Sequence, residues 1–454
     1  MDVIKIDKNI CTGCQECTNV CPAYAIEGEH GKPQTINEDK CIRCGQCVQK
    51  CKACVSPAMD GQEAYDKVRE ERKLPKTVKE PLFAAYNVNH IDEVKEALAN
   101  PSKICVVHAA PAVRIALGEE FGVEPGSIET GRMIAALYAL GFDHVYDANF
   151  AADLTIMEEG TELINRVTKN TGKLPMITSC CPGWVSFLEK NYPELKDHLS
   201  TCKSPQQMQG AIEKTYVADK LKIDGGSMYT VSIMPCTAKI FESRREEMWD
   251  SGHRDIDNVL TTRELAYMIK EAGIDYLNLE PKSYETVAGT YSGAGAIFGV
   301  TGGVMEAAIR TGYELITGKS LDDVKIEAVR GYDGVRFGQI QAGDLTLKVC
   351  VVTGLANVND VLAKITRGEL DVHFIEVMAC PQGCISGGGQ PKLLEDIDRE
   401  ATFEARRCGI YKHDEHLPIR KSHENPEIKA LYDEFLGAPN SEKAHHLLHT
   451  EYCI

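Results

Sequence analysis

The sequence predicts an α/β protein built on parallel sheets, with a small cysteine-dense domain ahead of it and a helical tail behind. Three observations carry that expectation. Short apolar runs alternate with helical stretches from residue 101 to about 404; nine of the 19 cysteines fall within the first 54 residues; and from 405 the chain turns polar and His-rich. The runs at 103–108, 144–147, 174–178, 229–234, 348–353 and 373–378 have the length and content of buried strands. Stretches such as TGRMIAALYALGF and TTRELAYMIKEAG between them read as helices. Strands that alternate with helices imply parallel pairing through crossovers.

Residues 1–58 contain two similar halves, ICTGCQECTNVCP and KCIRCGQCVQKCK, thirty residues apart. Residues 59–100 are charged and cysteine-free and read as a helical linker. Lys and Arg total 50 against 67 Asp and Glu, a formal charge of −17 that argues against nucleic acid or an anionic membrane as a partner. No apolar run is long enough to suggest a membrane span, and the first residues lack the features of a secretory signal. A cytoplasmic location is therefore expected, unless a separate subunit carries an export signal. Cytosolic cysteines are kept reduced, so clustered ones point to metal rather than to disulfides.

Cys11, Cys14, Cys17 and Cys21 follow C-x2-C-x2-C-x3-C, with Pro22 after the fourth. Cys41, Cys44, Cys47 and Cys51 repeat the spacing, with Lys52 in place of the proline. Closely spaced thiolates let a short loop wrap a cubane, and the fourth cysteine of each run ligates the other cluster. Cys11, Cys14, Cys17 and Cys51 are expected to hold one 4Fe–4S cluster, and Cys41, Cys44, Cys47 and Cys21 the second. Zinc knuckles share the two-residue spacing, but the doubled pattern resembles bacterial two-cluster ferredoxins over about 55 residues. Cys54 is left as a structural thiol.

Three of the predicted strands end in cysteine motifs: TSCC at 178–181, MPC at 234–236 and MAC at 378–380. Ligands of open α/β sheets bind beyond the carboxyl ends of strands, so motifs remote in sequence are expected to converge. Cys180 and Cys181 are adjacent, and successive side chains of an extended segment point to opposite sides, so each is expected to have its own task.

The motifs TSCCPGW (178–184), MPCTAK (234–239) and EVMACPQGCISGGGQP (376–391) together resemble the three signatures of the iron-only (FeFe) hydrogenases. GAIFGVTGGVMEA at 295–307 and RKSHENP and LHTEY near the end extend the resemblance over nearly the whole chain, in the form with two cubanes ahead of the catalytic domain. The resemblance implies parallel sheets in two lobes around a buried metal cluster (101–404), preceded by a small α+β ferredoxin-like domain (1–58) and followed by a helical tail (405–454) packing on the catalytic domain. It implies reversible reduction of protons to H2 at an H-cluster, a 4Fe–4S cubane joined to a di-iron unit with CO, cyanide and a bridging dithiolate amine. Electrons would pass through the two N-terminal cubanes, with a ferredoxin or flavodoxin as partner, and maturation proteins would supply the di-iron unit.

Matched motif by motif, the resemblance makes Cys181, Cys236, Cys380 and Cys384 the cubane ligands, with Cys384 bridging to the di-iron unit. Cys180 stays unligated and carries protons, a task that suits a thiol because its pKa can be tuned toward the working pH. The implied relay is Cys180, a water, Glu159, Ser200, Glu162 and the surface near Arg166. Glu159, Glu162 and Arg166 have spacings that share one helix face, which alone would read as a solvated charged face. Lys239 would hydrogen-bond a cyanide, a cationic donor beside an anionic ligand. Met234, Met378, Gln206, Pro111 and Phe298 would line the pocket, where polarisable methionines fill irregular space. The run Gly387-Gly388-Gly389 permits close backbone approach. Gln382 departs from the pattern, standing where glycine is more usual.

The remaining signals are weaker. GAGAIFG at 293–299 lacks the spacing of a dinucleotide site, so NAD is not expected. His445, His446 and His449 read as a surface helix contacting the main domain rather than as a metal site. Cys105, Cys202, Cys350, Cys408 and Cys453 read as structural, with Cys453 a candidate reactive thiol. Two other readings stand beside the enzyme: a hydrogenase-like sensor with low turnover, and a non-enzymatic iron–sulfur assembly relative.

Overall fold

The computed structural model describes residues 3–452 except 322, 332, 395 and 396, so Cys453 lies outside the described residues. Two four-stranded sheets form the large domain. The first runs Asn258–Thr261, Met228–Met234, Ile104–Ala109, His144–Asp147 in space, and every pairing is parallel. Helices cross over between these strands and bury their apolar faces on the sheet, which is why its strands read as continuous apolar runs. The second sheet runs Val335–Ala342, Leu345–Thr353, Phe374–Met378, Met176–Ile177.

Here the expectation of purely parallel pairing is corrected. Val335–Ala342 pairs antiparallel with Leu345–Thr353 through a two-residue turn, in which Gly343 takes φ +64°. This edge strand alternates between sheltered and exposed positions, so RFGQIQA shows no apolar run and escaped sequence reading. The short strand Asn258–Thr261 escaped as well, although all four residues are buried.

The stretch 59–100, expected as a helical linker, contains the helices Gln62–Glu71 and Ile91–Leu98 but also two strands. Ala85–Asn87 pairs antiparallel with Ile4–Ile6, and Leu82–Phe83 with Cys54–Val55. The segment therefore stitches itself into the cysteine-rich domain. After the second sheet come the helices Arg399–His416, Pro426–Leu431 and Glu442–Leu448.

The 22-residue helix Ala148–Lys169 bears Glu159, Glu162 and Arg166, all three predicted for the site. Asp147, at the end of its strand, caps it by accepting from Asn149 N, and Arg114 grips the same carboxylate with two hydrogen bonds of 2.7 and 2.9 Å. The helix is buried on nearly every side, yet it takes Asp153, Glu158 and those three charged residues inward. Buried charge of this kind is expensive unless paired or used, and it marks the helix as more than scaffold.

Candidate active site

Three strands of the two sheets, Met176–Ile177, Met228–Met234 and Phe374–Met378, deliver their following residues to one place. Cys180, Cys181, Cys236, Cys380 and Cys384 line a single cavity together with Met234, Met378, Pro111, Gln206, Lys239 and Phe298. Each of these residues was singled out from the sequence. Local hydrogen bonds explain the delivery. Thr178 accepts from Val377 N at 3.1 Å and its carbonyl takes the Trp184 indole N–H at 3.0 Å, which fixes the TSCC turn against the neighbouring strand. Cys181 then stands just before the helix Pro182–Asn191, with Pro182 at its first position, where no backbone donor is wasted. Gly383 adopts φ +80°, and a Cβ there would lie 2.7 Å from Thr301 N, so the loop from Cys380 to Cys384 needs glycine at that point.

Burial pushes the Cys236 thiol up to about 11 and the Cys384 thiol to about 12, with neighbouring cysteines adding to both shifts. Four thiols crowded in an apolar cavity keep their protons unless a cationic centre displaces them, which is the chemistry of a metal-cluster donor set. N–H groups already face the sulfurs: Ala379 N reaches Cys181 Sγ at 3.5 Å, and the Gln46 amide reaches Cys380 Sγ at 3.2 Å.

The N-terminal cysteines sort into two sets. Burial raises the Cys17 thiol to about 11, and Cys51, Cys11 and Cys14 push the same way, which places these four together. Cys21, Cys41, Cys44 and Cys47 line a second cavity. Backbone N–H groups of Gln34, Ala85, Ala25 and Arg43 point at Cys11, Cys51, Cys21 and Cys41, at 3.3 to 3.4 Å. In both sets the fourth cysteine comes from the other half of the repeat.

Around Cys180 the charges are arranged in sequence. Burial, and then the nearby Glu159 carboxyl, hold the Cys180 thiol well above its ordinary range. Glu159 is 1 % exposed and neither carboxyl oxygen has a hydrogen-bond partner among the described residues. Burial, and next the charge of Glu162, push it up to about 8. Ser200 donates to Glu162 Oε2 at 2.9 Å, and Thr201 N to the same oxygen at 3.1 Å. Arg166 donates to Glu162 Oε1 at 2.6 Å and spends its other N–H groups on the carbonyls of Lys173, Asp197 and Leu199. Arg166 is itself buried, so the guanidinium closes this end of the row rather than lying open at the surface.

Lys239 donates to the Cys180 carbonyl at 3.1 Å and to Glu242 at 2.9 Å. Burial opposes its charge, but Glu242, with Cys180 and Cys236, pushes the other way and the lysine sits above its usual range. Gln206 also donates to Glu242, at 3.1 Å, and leaves its carbonyl oxygen buried without a partner among the described residues. Glu242 was missed from the sequence, although its place three residues after Lys239 on a helix was a usable signal. Gln46 left no such signal. His449 is buried against Thr201 (2.7 Å) and Glu158 (3.1 Å), with the His445 ring stacked on it, so the C-terminal helix docks through a histidine. Cys202, expected to be structural, lies beside Glu162 and His449.

A model of the iron-only hydrogenase large subunit, C-terminal domain, matches residues 103–388. The chain belongs to the iron-only hydrogenase family. A 4Fe-4S dicluster domain matches residues 3–52 and an iron hydrogenase small subunit residues 400–453, so the enzyme carries its ferredoxin-like part in the same chain. It is 48% identical over 433 residues to the NADP-reducing hydrogenase subunit HndD of Solidesulfovibrio fructosivorans, covering 91% of this chain and 73% of the relative. Iron hydrogenase 1 of Clostridium pasteurianum is 41% identical, covering 93% and 76%. A solved structure of apo [FeFe]-hydrogenase HydA1 from Chlamydomonas reinhardtii superposes with TM-score 0.71 at 42% identity, covering 80% of this chain and 98% of that one. This hydrogenase is thus an oxidoreductase with an α/β, parallel-sheet catalytic domain and iron–sulfur cofactors. Among the described residues no helix is long and apolar enough to cross a membrane.

Proposed function

We propose that the hydrogenase catalyses 2H⁺ + 2e⁻ ⇌ H₂ in the cytoplasm, exchanging electrons with a ferredoxin or flavodoxin. The observation that carries this reading is the convergence of Cys181, Cys236, Cys380 and Cys384 on one cavity with the Cys180 thiol beside it and Glu159 behind. Those four cysteines would hold the catalytic cubane, with Cys384 shared with a di-iron unit bearing CO, cyanide and a dithiolate amine. Maturation proteins would supply that unit. When bound, it would supply the redox chemistry of hydrogen.

The chain's own residues do the rest. Cys11, Cys14, Cys17 and Cys51 would hold the outer cubane, and Cys21, Cys41, Cys44 and Cys47 the inner one. The inner set abuts the catalytic loop, where the Cys44 carbonyl packs against Gly388. Protons would move between the Cys180 Sγ and the Glu159 carboxyl through a water. A carboxyl held near 8 exchanges its proton close to neutral pH, as a relay needs. Ser200 then hands the proton to Glu162, with which it is already hydrogen-bonded. Arg166 holds Glu162 in line. Lys239 places a fixed positive charge at the cavity wall, which favours anionic ligands there. Met234, Met378, Pro111, Phe298 and Gln206 shape the wall and exclude bulk water.

The test is H₂ evolution with a reduced dye after maturation, read beside infrared spectra for CO and cyanide bands. Bands with turnover support the proposal. Bands without turnover would make the protein a sensor, and three cubanes without bands an assembly relative.

A further inference from the structure

The small domain reaches a cysteine of the catalytic cavity through the Gln46 side chain. Gln46 opens the helix Gln46–Lys50 between Cys44 and Cys47, is nine-tenths buried, and donates its amide to Cys380 Sγ at 3.2 Å. The same Nε2 donates to the Ser386 carbonyl at 3.1 Å. That second bond fixes which way the amide faces, because a side-chain oxygen there would oppose a carbonyl. The interface is built to hold this contact. Gln49, one turn on, donates to Gly387 O at 3.2 Å and to Gln390 O at 2.9 Å. Gly45 takes φ +73° and a Cβ on it would lie 2.6 Å from Thr237 Oγ1 and 2.9 Å from Gly388 Cα. The Thr237 hydroxyl in turn donates to Arg43 O at 2.7 Å.

We propose that Gln46 is a positioning residue for electron transfer: its amide, donated to Cys380, raises the reduction potential of the catalytic cubane. The inference rests on Cys380 being a cubane ligand, as proposed above. In the step concerned, the inner cubane gives up one electron and the catalytic cubane gains it, so negative charge on the cysteine sulfurs grows. A donor aimed at one of those sulfurs is stronger toward the more negative state and favours the reduced form. Burial lowers the local dielectric, which strengthens the bond. Gln46 also belongs to the loop that holds the inner cubane, so one residue joins donor and acceptor.

The test is a potentiometric titration of the full, matured chain, followed by electron paramagnetic resonance. Gln46→Met fills the space without a donor; Gln46→Glu keeps the length, guards against collapse of the packed interface and presents an acceptor. The expected result is a tenfold shift of the catalytic cubane toward its oxidised form in Gln46→Met, about 59 mV for a one-electron couple, and at least as much in Gln46→Glu. The cubane of Cys11, Cys14, Cys17 and Cys51 should hold its potential. A catalytic potential unmoved in both variants overturns the proposal. A Cys380→Ala chain that keeps the catalytic cubane's signal would instead remove the ligand assignment beneath it.

Discussion

The small domain gathers eight cysteines between residues 11 and 51, whereas the catalytic cavity draws its four candidate ligands from positions 181, 236, 380 and 384. In the first region the spacing within a short loop does most of the work, so the candidate ligand set is legible as text. In the second, the four cysteines follow three different strands, Cys380 and Cys384 sharing one, and only sheet register brings the sulfurs together. Local chain therefore gathers the proposed wiring, while the whole α/β fold gathers the proposed catalytic centre. Their sensitivity to mutation should differ accordingly.

The sharpest way to break this comparison is to remove one cysteine from each region. Cys181→Ala should lose the catalytic cubane and take H₂ evolution to background, with the iron count falling by one cluster or more. Cys11→Ala should lose only the outer cubane, and dye-driven H₂ evolution should persist, because a small reductant can bypass the outer cluster. Iron analysis and dye-linked assays on the same preparations decide it. Loss of all activity in Cys11→Ala would mean that the domain supports the fold of the cavity, and the contrast would fail.

Next comes the thiol proposed to stay unligated. Cys180→Ala should keep the infrared bands and the iron content but lose about 10²- to 10⁴-fold in turnover, the usual worth of a positioned proton donor. Full activity in that variant would refute the relay. Glu159→Gln extends the test to pH. The Glu159 carboxyl sits at about 8 against an ordinary 4.5, so the folded state holds its proton more tightly than the unfolded state. Stability should therefore be full below about pH 4.5 and fall as pH rises toward 8, on this residue's account. Chemical denaturation across pH 5–9 should show that slope flattened in Glu159→Gln.

The same contrast explains what was legible before the structure. The strand ends carrying TSCC, MPC and MAC could be placed because buried parallel strands leave apolar runs, and the cysteines followed them directly. The edge strand Val335–Ala342 could not, since one of its faces is wet. Nor could the strands within 59–100, whose partners lie in the cysteine-rich half and leave no local pattern. Glu242 was readable from helical spacing, but Gln46 was not, because its partner Cys380 is 334 residues away and an amide carries no motif. Contacts between remote segments exist only once the backbone has folded.

A smaller effect should follow from Gly388→Ala. A Cβ at Gly388 would collide with the Cys44 carbonyl, so the two domains would have to move apart. Dye-driven turnover should survive in large part, while reduction by a ferredoxin-type carrier should slow more than tenfold. Equal losses in both assays would show that the collision spreads into the cavity itself.

The smallest effect is expected at the one departure from the family pattern. Gln382 has no left-handed backbone angle to justify glycine there, and its Oε1 is buried without a partner among the described residues. Gln382→Gly removes that unsatisfied oxygen, worth about 1–3 kcal/mol, and adds backbone freedom costing about 0.5–1 kcal/mol. The cost offsets part of the gain, leaving a change in unfolding free energy of about 1 kcal/mol in the stabilising direction. Turnover should stay within about twofold, because the backbone N–H of residue 382 keeps its bond to Ser386 Oγ at 3.1 Å and the loop to Cys384 keeps its path. A large loss of activity would mean that the Gln382 oxygen has a partner in the loaded cavity, and that this chain uses the position for a purpose of its own.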